Sequence, residues 1–268
     1  MTILQVRGLH RHFGDVHAVD DVSFTLDAGG SLGIVGESGS GKTTTARIIA
    51  GLERADTGQV LIGGTDRSQR ARGRAARLAR ARQVQMVFQD PFLSLDPRMT
   101  VSATLGEALR LHFPGGNHAT RIAELLTQVG LGPREGDARP RQLSGGQRQR
   151  VAIARALAVK PSVLVLDEAV AALDVSVQAQ ILNLLADIRT ATNVSYLFIT
   201  HDLGVVGCVS DQVAVMRRGR IVERGPTTRV LAQPQQPYTR LLLDSLPRPG
   251  WDPHRIAEQR KTLSGFGP

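Results

Sequence analysis

Lys42 is one of only three lysines in a chain with 33 basic residues, and it sits in the loop Gly36-Glu37-Ser38-Gly39-Ser40-Gly41-Lys42-Thr43-Thr44. Where arginine is used nearly everywhere, a retained lysine suggests a need for a compact ammonium rather than a planar fork. The loop fits G-x-x-x-x-G-K-[ST] at Gly36, Gly41, Lys42 and Thr43. The glycines let backbone N–H groups turn inward around phosphate oxygens, and the following helix adds its positive end. Lys42 can reach β- and γ-phosphates, and the Thr43 hydroxyl can ligate Mg²⁺.

Three other short segments carry polar groups of the right kind. "VQMVFQD" ends at Gln89 and Asp90, "SVLVLDE" at Asp167 and Glu168, and "SYLFITHD" at Thr200, His201 and Asp202. Asp167 is suited to hold Mg²⁺ through its water shell, because that ion dehydrates reluctantly. Glu168 is the candidate base for an attacking water. Gln89 could bridge the ion and the water, and His201 could contact the γ-phosphate. Adjacent carboxylates also serve as helix caps, and a histidine can simply be a satisfied core residue. A phosphate loop in the same chain favours the chemical reading of each.

These groups need a frame that brings them together. Each follows a near-continuous apolar run, as "SLGIV" precedes the loop, and helical segments join the runs. That pattern predicts buried parallel strands. Ligands of such sheets sit beyond the carboxyl ends of the strands, so all four segments are expected to meet at one nucleotide. "ILQVRGL", "HAVDDVSFTLD" and "QVLIGG" predict a small antiparallel sheet. Residues 98–156 read mostly as helix, and "GCVSDQVAVMRRGRIVERG" reads as two strands around Arg218–Gly219. Residues 248–268 are polar and broken by proline and glycine, which predicts a mobile tail.

A second anion-prone site follows a hundred residues later, at Leu143-Ser144-Gly145-Gly146-Gln147. Ser144 and Gln147 form a capping-box pattern, and Val151, Ile153, Ala154, Leu157 and Ala158 give the helix an apolar face. A plain cap needs the serine but not two glycines, which leave N–H groups open at the positive helix end. Two such starts could hold two phosphates, or one nucleotide could be shared between two molecules. The residues alone leave both open.

Composition narrows the class. At 268 residues the chain can bury a sizeable core, and no run of about 18 apolar residues predicts a membrane span. The start of the sequence has no apolar stretch of the signal-peptide kind. Cys208 is the single cysteine, which excludes an internal disulfide and a four-cysteine cluster, so a cytoplasmic setting is expected. The net charge of +9 falls to +2 outside residues 67–82, which hold seven arginines and no acid. That segment reads as a solvated helix face, or as a contact to lipid headgroups or a partner. Aromatic residues are 4% and are not interleaved with it, so no nucleic-acid partner is expected.

Together Gly36–Thr43, Gln89, "LSGGQ", "VLVLDE", "ALD" at 172–174 and His201 resemble the ATP-binding subunits of ABC transporters, over roughly residues 3–245. The resemblance implies an α/β fold: a P-loop NTPase core with a parallel sheet, a small N-terminal antiparallel β-subdomain and an inserted helical subdomain at about 98–156, within an ATPase domain at 1–247. It implies ATP and Mg²⁺ as ligands, with Phe13 stacked on adenine and Asp174 in the D-loop. It also implies head-to-tail pairing with an identical or homologous ATPase subunit, the Ser144–Gln147 helix closing over the partner's ATP. Integral membrane permease subunits would receive the motion at the cytoplasmic face of the inner membrane, with a substrate-binding protein acting indirectly.

Within the family, "PQQPYTRLLLDSLP", "QMVFQDPFLSLDPRMTV" and "LDVSVQAQIL" are similar to the peptide and nickel importer group. Gln236 stands where that group has a histidine, Ala169 where a proline is common, and Ala171 where a serine is common. A soluble ABC ATPase acting on nucleic acid or ribosomes is the rival reading. The importer-like tail and the single module, without a long coiled-coil insertion, stand against it. A GTPase or kinase is excluded by the LSGGQ helix and the lack of an N-K-x-D motif.

Overall fold

The computed structural model describes residues 1–69, 71–90 and 94–245, so the expected tail at 248–268 lies outside the described residues. Two sheets divide the strands. In the first, β1 (Thr2–Phe13) and β2 (Val16–Asp27) form a long hairpin. On its other edge β1 pairs with β4 (Thr57–Ile62), which pairs in turn with β5 (Thr65–Asp66), all antiparallel. Leu4, Val6, Val22, Phe24 and Leu26 turn inward, as the two-residue period of a half-buried strand requires.

The second sheet has the order β10-β9-β3-β8-β7-β6. Its strands are β3 (Ser31–Val35), β6 (Val84–Val87), β7 (Val163–Asp167), β8 (Ser195–Thr200), β9 (Gln212–Arg217) and β10 (Arg220–Pro226). Five strands run parallel, and β10 returns antiparallel at the edge. Every residue of β3, β7 and β8 is buried. That double coverage is why these strands read as continuous apolar runs rather than as alternation.

Alternation persists in what each side chain touches. Val163, Val165, Leu197 and Ile199 join a core with Ile48 and Ile49 of α1 (Lys42–Ala50) and with the first sheet. Their neighbours Leu164, Leu166, Tyr196 and Phe198 join the other core, with Ile181 and Leu185 of α7 (Val175–Thr192). The same core runs into the helices α3 (Val101–His112), α4 (Ala119–Gln128) and α6 (Gly145–Leu157), while the short α5 (Pro133–Asp137) lies against α3 and α4. Leu105, Leu109, Leu125 and Val129 meet Val151 and Ile153 there. At about 1.5–3 kcal/mol for each large side chain fully buried, this packing holds α6 against the other helices and the sheet.

The arginine-rich segment forms α2 (Arg74–Gln83), which has no buried residue. Arg82 stacks on the Phe113 ring at 4.4 Å. The chain closes with α8 (Leu203–Val209), α9 (Thr227–Ala232) and α10 (Pro237–Asp244). Among the described residues no helix is long and apolar enough to cross a membrane.

Candidate active site

The glycine loop leaves the end of β3 in a channel walled by backbone. A β-carbon on Gly36 would lie 2.1 Å from the Met216 carbonyl oxygen, and one on Gly41 would lie 2.1 Å from that of Ala18. Gly41 also takes φ +101, which side-chain-bearing residues rarely adopt. It caps α1 without a side-chain bond, so the first N–H groups of that helix keep their donor capacity for an anion.

Lys42 is 5% exposed, and its Nζ donates to the carbonyls of Gly36 and Glu37, both at 2.8 Å. Burial lowers its pKa, while the charges of Glu168, Asp167 and Glu37 pull the other way. The ammonium is thus short of counter-charge in a buried place, which is what a phosphate would supply.

Thr43 Oγ1 donates to Asp167 Oδ1 at 3.1 Å, joining the start of α1 to the end of β7. Asp167 is 7% exposed. Burial pushes its pKa up, and Glu168 adds to that, while the Thr43 hydrogen bond and the Arg47 and Lys42 charges oppose it. Glu168 turns away from the strand with φ +48, and its N–H still donates to the Ile199 carbonyl at 2.8 Å. Its Oε1 meets His201 Nδ1 at 3.3 Å, so the ends of β7 and β8 touch through these side chains.

One cleft of about 750 Å³ collects most of these groups. Ser38, Gly39, Gly41, Lys42 and Thr43 form its walls together with Gln89, Asp167 and Glu168. Gln89 lies two residues past the end of β6 rather than at its last position. His201 is exposed and does not line the cleft; it touches the site only through Glu168. Ser40 is buried, and its carbonyl accepts from Gly219 N–H at 3.0 Å. Thr44 is half-buried in the first turn of α1. Phe13 is not part of the lining; it is 46% exposed, and the Arg11 guanidinium covers its ring at 4.4 Å.

The second helix start stands apart from this cleft, since none of Leu143 to Gln147 lines it. Ser144 Oγ accepts from Gln147 N–H at 3.2 Å, and Gln147 Oε1 accepts from Ser144 N–H at 2.9 Å, so the box closes. One part of the two-glycine reading needs correction. Gly146 is buried, and a β-carbon there would lie 2.5 Å from Val177 Cγ1 of α7. The second glycine therefore has a packing reason inside the chain, whereas at Gly145 the nearest atom, Leu173 Cδ2, is at an ordinary 3.5 Å. Asp174 caps α7 by accepting from Val177 N–H at 2.9 Å and Ser176 Oγ at 2.7 Å.

Two groups at the site escape a motif reading. Arg47 lines the cleft one turn along α1, signalled only by its helical spacing from Thr43. Tyr238 of α10 accepts a hydrogen bond from Glu37 N–H at 3.1 Å. "PYT" marked the segment but not its target. Glu223 accepts from the N–H groups of Gln235 and Gln236 at 2.7 and 3.1 Å, anchoring the start of α10. The anchor uses the backbone of Gln236, so it makes no demand on the side chain at that position.

Comparison with known proteins shows the family and the fold. Residues 19–171 match the ABC transporter family, and residues 222–266 match the oligopeptide/dipeptide transporter C-terminal region. The glutathione import ATP-binding protein GsiA of Salmonella paratyphi A is 46% identical over 275 residues, covering 98% of this chain and 44% of the relative. GsiA of Escherichia coli K12 is 47% identical over 258 residues, covering 96% of this chain and 41% of the relative. The chain thus spans less than half the length of these relatives. CbiO1 of Clostridium perfringens, part of the ABC transporter complex CbiONQ, superposes with a TM-score of 0.78 at 26% identity, over 97% of this chain and 99% of that one. The dimeric cassette MJ0796 in a post-hydrolysis state with ADP and phosphate gives 0.74 at 27% identity, over 84% of this chain and 99% of that one.

Proposed function

Because this chain belongs to the ABC transporter ATP-binding family, we propose that it binds and hydrolyses ATP to energise a membrane importer of short peptides. The observation that carries the reading is the meeting of Lys42, Thr43, Gln89, Asp167 and Glu168 on one cleft.

The roles follow from the geometry. N–H groups of the loop and the start of α1 cradle the phosphates, and Lys42 exchanges its carbonyl partners for β- and γ-phosphate oxygens. Thr43, Asp167 and Gln89 are oxygen donors on neighbouring walls and fit a hard dication, whose charge also suits the buried Asp167 carboxylate. Mg²⁺, when bound, neutralises charge developing on the phosphates. Glu168 takes the proton of the attacking water; the new bond forms at the γ-phosphorus, and ADP leaves with the bridging oxygen. His201, hydrogen-bonded to Glu168, would contact the γ-phosphate from the side of that base.

A cleft without Leu143–Gln147 in its lining supports the pairing reading: the Ser144 helix start serves the ATP of a second ATPase subunit, identical or homologous, arranged head to tail. Asp174, beside that helix, would face the same junction. We take residues 1–247 as the ATPase module, with the helices at about 98–156 as its inserted subdomain. Integral permease subunits would receive the motion at the cytoplasmic side of the inner membrane, and a substrate-binding protein would deliver cargo to them. The names of the relatives favour a small peptide, glutathione among them, over nickel.

The test is co-purification from native cells. A tagged Glu168→Gln chain, extracted in detergent with ATP and Mg²⁺, should bring down integral membrane permeases. Ribosomal proteins or DNA in their place would overturn the importer reading.

A further inference from the structure

Gly36 and Glu37 share one peptide unit, and that unit is held from both ends. Its N–H, on Glu37, donates to Tyr238 Oη at 3.1 Å, and its carbonyl, on Gly36, accepts from Lys42 Nζ at 2.8 Å. A hydrogen-bonded line therefore runs from the C-terminal helix through the phosphate loop to the ammonium expected to meet the nucleotide. Bonds in such a line polarise one another, and more so away from water.

Both ends are built rather than incidental. Tyr238 is 4% exposed, packed with Val35 of β3 and with Leu203 and Val215. Arg217 lies over its ring at 4.9 Å, beside Met216, whose carbonyl walls the loop at Gly36. Burial pushes the Tyr238 pKa up, so the phenol stays neutral and keeps its O–H as well as its acceptor. α10 in turn begins on the Glu223 carboxylate, which ties it to β10 of the central sheet.

Resting on the reading of this cleft as an ATP site, we propose that Tyr238 is a positioning residue for ATP. It fixes the Gly36–Glu37 peptide so that Lys42 and the loop amides are set before the phosphates arrive. It touches no reacting atom, and its effect is on binding. Preorganisation of this kind lowers the ordering cost of a ligand without changing the chemical step.

The test compares Tyr238→Phe with the full native chain. Phenylalanine keeps the ring and the Arg217 contact and removes only the hydroxyl, which accepts from Glu37 N–H and also meets the exposed Glu37 side chain. ATP–Mg²⁺ affinity should fall roughly five- to tenfold, the usual worth of one buried hydrogen bond. KM for ATP should rise in parallel, with kcat within about twofold of native. A lowered melting temperature with unchanged affinity and KM would mean the tyrosine only packs, and the proposal would be wrong.

Amide-resolved hydrogen exchange on the nucleotide-free native chain gives an independent answer that needs no variant. Glu37 N–H should be protected at least about tenfold more than Gly39 N–H, which donates no hydrogen bond among the described residues; equal exchange at both overturns the proposal. If the native chain failed to bind ATP at all, the functional reading would fall. Protection at Glu37 would still decide whether Tyr238 holds the loop.

Discussion

Thr43 donates its hydroxyl to Asp167 across the gap between the start of α1 and the end of β7. The bond orients a carboxylate that burial otherwise disfavours as an anion. Function and stability therefore pull against each other at this residue.

Asp167→Asn keeps an acceptor for Thr43 and removes the buried charge. The variant should be more stable than the native chain at pH 7, because the buried charge is gone, while losing Mg²⁺-dependent hydrolysis. Asp167 has a raised folded pKa, so the penalty on its charge is complete above that value and disappears below the unfolded value of about 3.9. The gain should shrink as pH falls from neutral toward 4. Urea midpoints across that range measure it, and a variant no more stable at pH 7 would refute the account.

Glu168→Gln preserves shape and removes the proton acceptor. Turnover should fall at least about 10²-fold, a typical value for a lost general base, with ATP still bound. The same variant should accumulate as a closed pair, seen as a doubled mass in light scattering with ATP. Hydrolysis near the native rate would eliminate Glu168 as the base.

Ser144→Arg places a long side chain at the exposed start of α6 and breaks the box with Gln147. Losing the cap should cost about 1 kcal/mol. Nucleotide binding by one chain should stay within about twofold of native, and ATP-driven pairing should vanish. Pairing that survives would show that this helix start does not face the partner's nucleotide.

Gly146→Ala tests the packing reason for the second glycine. The added methyl meets Val177 Cγ1 at 2.5 Å, so stability should drop by about 1–3 kcal/mol. Val177→Ala in the same chain should restore most of it. A double-mutant cycle with no coupling would place the strain elsewhere.

Much of this architecture was legible because local pattern and tertiary role agree. β3, β7 and β8 are covered on both faces, so their residues had to be apolar throughout, and polar groups at their ends stood out. The loop and the Ser144–Gln147 box are local in sequence and formed as read. The misses are contacts between distant segments. Gly36 against Met216, Gly146 against Val177 and Glu37 against Tyr238 depend on which elements become neighbours, and no spacing rule carries that. The left-handed turn at Glu168 is equally silent, because glutamate seldom takes φ near +48 and no residue type announces it.

The strand order has a consequence for how the chain is made. β3, which carries the phosphate loop, pairs only with β8 and β9. Its partners are synthesised roughly 160 residues after it, on the order of ten seconds at usual translation rates. The loop is made before its strand has either partner, and the strand waits unpaired until residues 195–217 have followed it. A message truncated before Thr200 would yield every residue of Gly36–Thr43 and no nucleotide site.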